Sequence, residues 1–321
     1  DSGFLPNALM LVARRGQVAY CNSFGMMDIE NQRPVQEDTI FRIYSMTKPI
    51  TSIAVMMLLE QGRFHLKDPM SAFIPEFADA TVYVDENMRR VPDSPMTIQH
   101  LLSHTAGLTY DFLDSSPVDN LYTQAGMRDS SLSLEQWAKK LAQLPLVYAP
   151  GEGWRYSVAT DLLGYLVQVV SGQPFEDYLH ENIFDPLGMI DTAFNVPAGK
   201  ADRLTKLYGE GLWSIEPDGG FVRDYTGSPG WPSGGGGLVS TVSDYLQFCR
   251  MLANGGTLDG TRFVSRKTLE LMAMNHVPVH LLPLQISADP MYGYGFGLGF
   301  NVLLDPAAAG RVASAGEFGW S

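Results

Sequence analysis

Phe41-Arg42-Ile43-Tyr44-Ser45-Met46-Thr47-Lys48-Pro49-Ile50 joins a short apolar approach to the start of a long helix. Ile50, Ile53, Ala54, Met57 and Leu58 recur at helical spacing on one face, and Gln61-Gly62 supplies a stop, so the pattern predicts an amphipathic helix. Pro49 is tolerated only in a first turn, which fixes the helix start independently. Ser45 therefore stands at or near a helix N-terminus. With about 3.6 residues per turn, the Ser45 hydroxyl and the Lys48 amine share a face within hydrogen-bond reach. The positive helix end and partial burial disfavour an ammonium there, leaving an amine that can take the serine proton, while the Ser45 N–H can donate to an oxyanion. A lone Ser-x-x-Lys is more simply an N-cap serine followed by a solvent-facing lysine, so other motifs have to decide.

The bounds are those of an ordinary globular chain. At 321 residues, 45% apolar, it can build a packed core as one long domain or two modest ones. A net charge of −13 and a pI near 4.8 argue against nucleic acid and anionic membranes as partners, and leave a small neutral substrate open. Cys21 and Cys249 fall inside apolar patterns and read as free buried thiols, with no disulfide framework or cysteine metal site. No apolar run reaches spanning length and no signal peptide is present, although the abrupt Asp1-Ser2-Gly3 opening suggests trimming. Cytoplasmic and periplasmic, bacterial-like settings both fit, and the oligomeric state is open.

In chain order, residues 8–13 and 18–21 read as two strands around an Arg14-Arg15-Gly16-Gln17 turn. Thr97 caps a short helix that runs toward Gly107, and the polar segment 109–131 reads as a flap over a pocket. Ser133 heads a helix from Leu134 to Leu144. Pro150-Gly151-Glu152-Gly153-Trp154-Arg155-Tyr156-Ser157-Val158 is a glycine-rich loop presenting Tyr156 just ahead of a helix over Leu162–Ser171, and another helix spans Phe175–Phe184. Segment 208–233, with strand-like Gly220-Phe221-Val222-Arg223, is the expected passage between lobes. Ser233-Gly234-Gly235-Gly236-Gly237 lacks the lysine of a phosphate loop and reads as a close backbone approach to a pocket, before Ser240 or Thr241 caps the helix Val242–Leu252. Ser265 caps one more helix, Tyr292 to Val302 alternates in strand fashion, and Arg311–Ala315 leads into another strand approach. A strand that ends without partners leaves a sheet unfinished, so more chain is expected beyond Ser321.

Ser45-Met46-Thr47-Lys48, Tyr156-Ser157-Val158 and Gly319-Trp320-Ser321 together resemble the three catalytic motifs of the serine β-lactamase and penicillin-binding-protein superfamily, in its class C-like branch. His100-Leu101-Leu102-Ser103-His104-Thr105-Ala106-Gly107-Leu108 and Pro150-Gly151 are also similar to that branch, so the resemblance covers essentially the whole chain. Within it, the chain is most similar to the family VIII carboxylesterases, with LovD-like acyltransferases near by. The resemblance implies an α/β (α+β) fold of β-lactamase/DD-peptidase type, with an antiparallel sheet from both chain ends flanked by helices. Residues 1–44 and 225–321 would form the α/β domain and 45–224 an inserted, mostly helical domain, with the site in the cleft.

Two departures bear on the substrate. The lactamase pattern has an asparagine two residues after its tyrosine, where this chain has Val158, and a Lys-Thr-Gly where this chain has Trp320-Ser321. Each lost partner removes an interaction worth on the order of 1.5–3 kcal/mol toward an amide or a carboxylate, which shifts the expectation to neutral esters. Trp320, Ser321 and Val158 then become substrate-binding positions, Trp320 offering apolar surface. The resemblance implies a serine carboxylesterase with a Ser45 nucleophile and a general base shared by Lys48 and Tyr156, needing neither cofactor nor metal. Its substrate is a small short-chain ester, with weak cephalosporin hydrolysis as a side activity. The alternatives are a class C-like β-lactamase/DD-peptidase or a LovD-like acyltransferase. A G-x-S-x-G elbow at Ser321 is disfavoured because the histidines precede it, and His100 with His104 lacks the glutamate of a zinc motif. Both histidines read as structural, and Glu152 and Asp161 as solvated or capping.

Overall fold

The computed structural model describes residues 5–113, 115–217, 223–227, 230–286 and 289–321. Strands β1 (Asn7–Arg14) and β2 (Gln17–Asp28) form an antiparallel hairpin. Arg15 and Gly16 both have positive φ, 52° and 77°, the mirror-image turn whose twist matches the strands it joins. Strand β3 (Arg33–Pro34) pairs with β2. Strand β4 (Phe41–Arg42) pairs instead with Val239–Ser240 and delivers the chain to a single 3-10 turn, Tyr44–Met46, and then to helix α1 (Thr47–Glu60).

Helix α1 departs from the amphipathic expectation. Every residue from Thr47 to Met56 is buried, because the helix runs through the middle of the molecule with neighbours on all sides. Its apolar face joins the main core with Leu101, Leu162 and Phe175, while Lys48, Thr51 and Ser52 serve the other side. Thr51 donates to the Gly234 carbonyl at 2.8 Å.

Most helices around it start where their caps predict. Thr97 and Ser133, as expected, and Ser116, which sequence reading did not single out, accept backbone N–H bonds at the heads of α2 (Ile98–Leu102), α4 (Leu134–Leu141) and α3 (Pro117–Gln124). Thr241 and Ser265 do the same for Val242–Ala253 and Arg266–Met272. Helix α2 stops short of Gly107 because the backbone turns at His104, φ +58°. Helix α5 (Ala159–Ser171) is buried from Ala159 to Val167 and packs against α1 and α2. The helix expected over Phe175–Phe184 loosens after Leu179 into one wider turn, then closes at Gly188 with φ +67°.

Four expectations need correction. Segment 109–131 is a wall rather than a flap: it carries α3, and Asp119 on that helix is buried in a two-pronged ion pair with Arg155, at 2.8 and 2.9 Å. Tyr292 to Val302 is not one strand but a hairpin, Tyr294–Phe296 with Asn301–Leu303. The chain must turn at Gly299, φ +97°, where a Cβ would lie 2.1 Å from the Ser52 hydroxyl on α1. Phe318–Gly319 pairs with Asn301–Val302, but Arg311–Ala315 is turn and loop. Cys21 is half-buried and Cys249 exposed, the latter lining an open groove with Leu9 and Leu11 rather than sitting in the core.

Both chain ends thus supply antiparallel ladders and meet where β4 pairs with Val239–Ser240, while among the described residues the β1–β2–β3 ladder shares no hydrogen-bonded pairing with the ladder of Tyr294–Phe296, Asn301–Leu303 and Phe318–Gly319. The strand expected at Gly220-Phe221-Val222 lies outside the described residues. Among the described residues, no helix is long and apolar enough to cross a membrane.

Candidate active site

Ser45 occupies the 3-10 turn between β4 and α1. Its predecessor Tyr44 has φ +41°, a costly conformation for a large side chain, and it sits where the backbone reverses from strand to helix. The turn is held from three sides. Ile43 N–H donates to the Leu238 carbonyl at 3.1 Å, Leu238 N–H donates to Thr47 Oγ1 at 3.2 Å, and the Tyr245 hydroxyl donates to the Met46 carbonyl at 2.9 Å.

The three side chains singled out by the sequence converge. Ser45 Oγ lies 2.5 Å from the Tyr156 hydroxyl oxygen, and Lys48 Nζ donates to Ser45 Oγ at 3.2 Å. Lys48 is 1% exposed. Its amine also donates to the Gly235 carbonyl at 2.7 Å and lies over the Tyr156 ring, 4.4 Å from the centroid.

Tyr156 is placed by the loop ahead of α5. Arg155 N–H donates to the His104 carbonyl at 2.9 Å and Val158 N–H to the Thr109 carbonyl at 3.3 Å, lacing the loop to the wall. Trp320 Nε1 donates to the Tyr156 hydroxyl at 3.3 Å, with ring centroids 5.3 Å apart. Val158 lines the cavity beside Ser45, whereas Ser321 is exposed and faces two other depressions.

The glycine run explains how Gly235 reaches Lys48. A Cβ at Gly235 would stand 2.4 Å from Asp161 Oδ2, and one at Gly234 2.6 Å from the Thr160 carbonyl, so only bare backbone fits against α5. Asp161, expected to be solvated or capping, is instead 2% exposed. Its carboxylate accepts from the Ser233 hydroxyl and from Gly235 N–H at 2.9 Å, which orients the Gly235 peptide and hence the carbonyl that holds Lys48. Glu152 behaves as expected, accepting from Ala149 N–H at 3.0 Å beside Arg90.

His104 is the other residue that motif spacing undersold. It is 1% exposed, its ring lies 5.2 Å from that of Tyr156 and 5.1 Å from that of Phe296, and Nδ1 is 3.2 Å from Ser157 Oγ. Burial first, and the nearby Lys48 charge second, hold its pKa well below the ordinary 6.5. His100, whose Nδ1 accepts from Thr97 N–H at 3.2 Å to complete the α2 cap, is shifted down by burial as well. The unfolded chain then binds protons that the native state refuses. This contribution to stability is complete above about pH 6.5 and is lost as pH falls below it, by up to about 1.4 kcal/mol per pH unit for each histidine. Urea midpoints measured between pH 7.5 and pH 5 are expected to fall accordingly. His104→Asn, which tolerates the left-handed backbone, is expected to flatten the slope by about one proton.

Beside Ser45 opens a cavity of about 270 Å³ walled by Tyr110, Phe112, Trp137, Tyr156 and Trp231. Tyr110 stacks on Phe112 at 4.8 Å and Trp231 on Trp137 at 4.7 Å. Among the described residues, no cluster of three or more His, Cys, Asp or Glu could hold a metal ion. The arrangement is a hydroxyl with two adjacent proton-transfer groups at the mouth of an aromatic pocket, suited to acyl transfer.

Comparison with known proteins agrees in extent. A family model described as β-lactamase matches residues 2–321. The chain is 33% identical over 339 residues to esterase EstB of Burkholderia gladioli, covering 98% of this chain and 80% of that protein. It is 30% identical over 328 residues to the lovastatin esterase of Penicillium rubens, covering 95% and 81%. Among solved structures, EstCE1, a hydrolase with promiscuous acyltransferase activity, superposes with a TM-score of 0.81 at 33% identity, covering 97% of this chain and 81% of that one. Simvastatin synthase LovD of Aspergillus terreus gives 0.75 at 25% identity, covering 98% and 82%.

Proposed function

The chain belongs to the β-lactamase family, and from that membership we propose that it is a serine hydrolase of small carboxylic esters working through an acyl-enzyme on Ser45. The observation that carries this reading is the meeting of Ser45 Oγ with the Tyr156 hydroxyl at 2.5 Å and the Lys48 amine at 3.2 Å. Esters are favoured over β-lactams by Val158 and Trp320-Ser321, which offer neither an amide partner nor a cation.

In the proposed reaction, Ser45 Oγ attacks the ester carbonyl carbon while its proton passes to the Lys48–Tyr156 pair, as neutral amine or tyrosinate. The oxyanion accepts from the Ser45 N–H, which no backbone carbonyl engages among the described residues. Collapse breaks the ester C–O bond, and Tyr156 returns the proton to the departing alkoxide. Water, deprotonated by the same pair, then attacks the acyl-enzyme and frees the acid and Ser45. An alcohol in place of water gives acyl transfer by the same route.

We also propose the division into 1–44 with 225–321, and 45–224. It is supported by the origin of the contacts, since Ser45, Lys48 and Tyr156 come from the second stretch and Gly235 and Trp320 from the first.

Intact-mass measurement after brief exposure to an aryl butyrate tests the reading. A single butyryl adduct that maps to Ser45 is expected, forming faster than any cephalosporin adduct. Labelling elsewhere, or a faster β-lactam adduct, would overturn it.

A further inference from the structure

The cavity beside Ser45 is not uniformly apolar, and its polar groups are unequally matched. Its two carboxylates are engaged: Asp161 accepts from the Ser233 hydroxyl and Gly235 N–H, and Asp111 is paired with Arg128 at 2.6 Å. Its donors are not. Arg223 lines the cavity with one recorded hydrogen bond, from Nη1 to the Trp231 carbonyl at 3.0 Å, and its guanidinium lies 4.7 Å from the Trp231 ring centroid. Among the described residues, no carboxylate forms an ion pair with it. Trp231 is 7% exposed, and among the described residues its Nε1–H has no acceptor.

A guanidinium carries five N–H donors in a planar fork that matches a carboxylate. Holding such a group partly buried with a single acceptor is unfavourable unless something in the pocket accepts from its remaining donors. Burial holds the Arg223 pKa below its usual value, against a smaller upward pull from Tyr225 and Asp161. The surrounding protein is strongly acidic, so this cation is a local exception rather than part of a basic field.

We propose that Arg223 binds a carboxylate carried by the substrate at the end lodged in the aromatic cavity. The preferred substrate class is therefore an ester that bears a free acid remote from the scissile bond. This inference rests on the reading of the cleft as an ester hydrolase, and it places the charge recognition at Arg223 instead of the third motif.

Two arms distinguish which half of the ester carries the acid: an aryl monoester of glutaric acid, and the butyrate ester of hydroxybenzoic acid, each compared with the neutral aryl butyrate. In at least one arm, the ratio of kcat/KM for the acidic over the neutral ester is expected to fall about tenfold or more in Arg223→Met and less in Arg223→Lys. Ratios unmoved in both arms would overturn the proposal while leaving ester hydrolysis intact. A readout independent of turnover accompanies it. Monomethyl glutarate is expected to raise the Tm of the wild-type protein more than methyl butyrate does, and equal shifts, or the same excess in Arg223→Met, would overturn it. Absence of turnover of all three esters alongside the glutarate-specific Tm shift would sink the hydrolase reading alone.

Discussion

Ser45→Ala is expected to reduce ester turnover by at least about a thousandfold, to the level of a protein that binds substrate without forming a covalent intermediate. The side chain is one oxygen, and the surrounding geometry does not depend on it. The 3-10 turn is fixed by main-chain bonds to Leu238 and by Tyr245, and Lys48 keeps its bond to the Gly235 carbonyl. The Tm should therefore stay within a few degrees of the parent. Kinetics with an aryl butyrate, thermal denaturation and intact mass together check the result. Undiminished turnover with a folded protein would remove Ser45 from the mechanism.

The second large effect concerns the proton. Tyr156→Phe deletes one oxygen that is hydrogen-bonded to Ser45 Oγ and to Trp320 Nε1, and it leaves the ring packed at a tilt between His104 and Tyr110. Lys48→Met keeps the buried stem while removing the amine from Ser45 and Gly235. Each variant is expected to lose at least about a hundredfold in kcat/KM, because each removes one partner of a shared proton-transfer step. The double variant should lose much less than the product of the two, since groups acting on one proton are not independent. Pre-steady-state mixing with a chromogenic ester gives the acylation rate directly. A fully additive double variant would mean that amine and phenol act in separate steps.

Much of this site could be read in the residue string because its central pieces are local. Pro49 dates the start of α1, serine and threonine caps mark four other helices, and a tyrosine poised ahead of a buried helix needs only short-range patterning. What escaped is what distant segments build jointly. Asp161 looked like a first-turn acid of α5, and its burial arises only because the glycine run folds down upon it. Arg223 and Trp231 carry no motif, and their place beside Tyr110 and Phe112 depends on tertiary packing. The one-sided reading of α1 failed for a related reason: Thr51 and Ser52 look solvent-facing in sequence, yet they meet Gly234 and Gly299, which present backbone in place of side chains.

The grip of the Gly235 carbonyl on the Lys48 amine has a consequence for how this protein can change. Because the anchor is a main-chain atom, exchange of a cavity-wall side chain does not remove it, and among the described residues Met127 and Trp231 share no hydrogen bond with the Ser45–Lys48–Tyr156 group. Selection for new acyl or alcohol groups can therefore reshape the chamber piece by piece, without having to reinvent the reactive centre at each step.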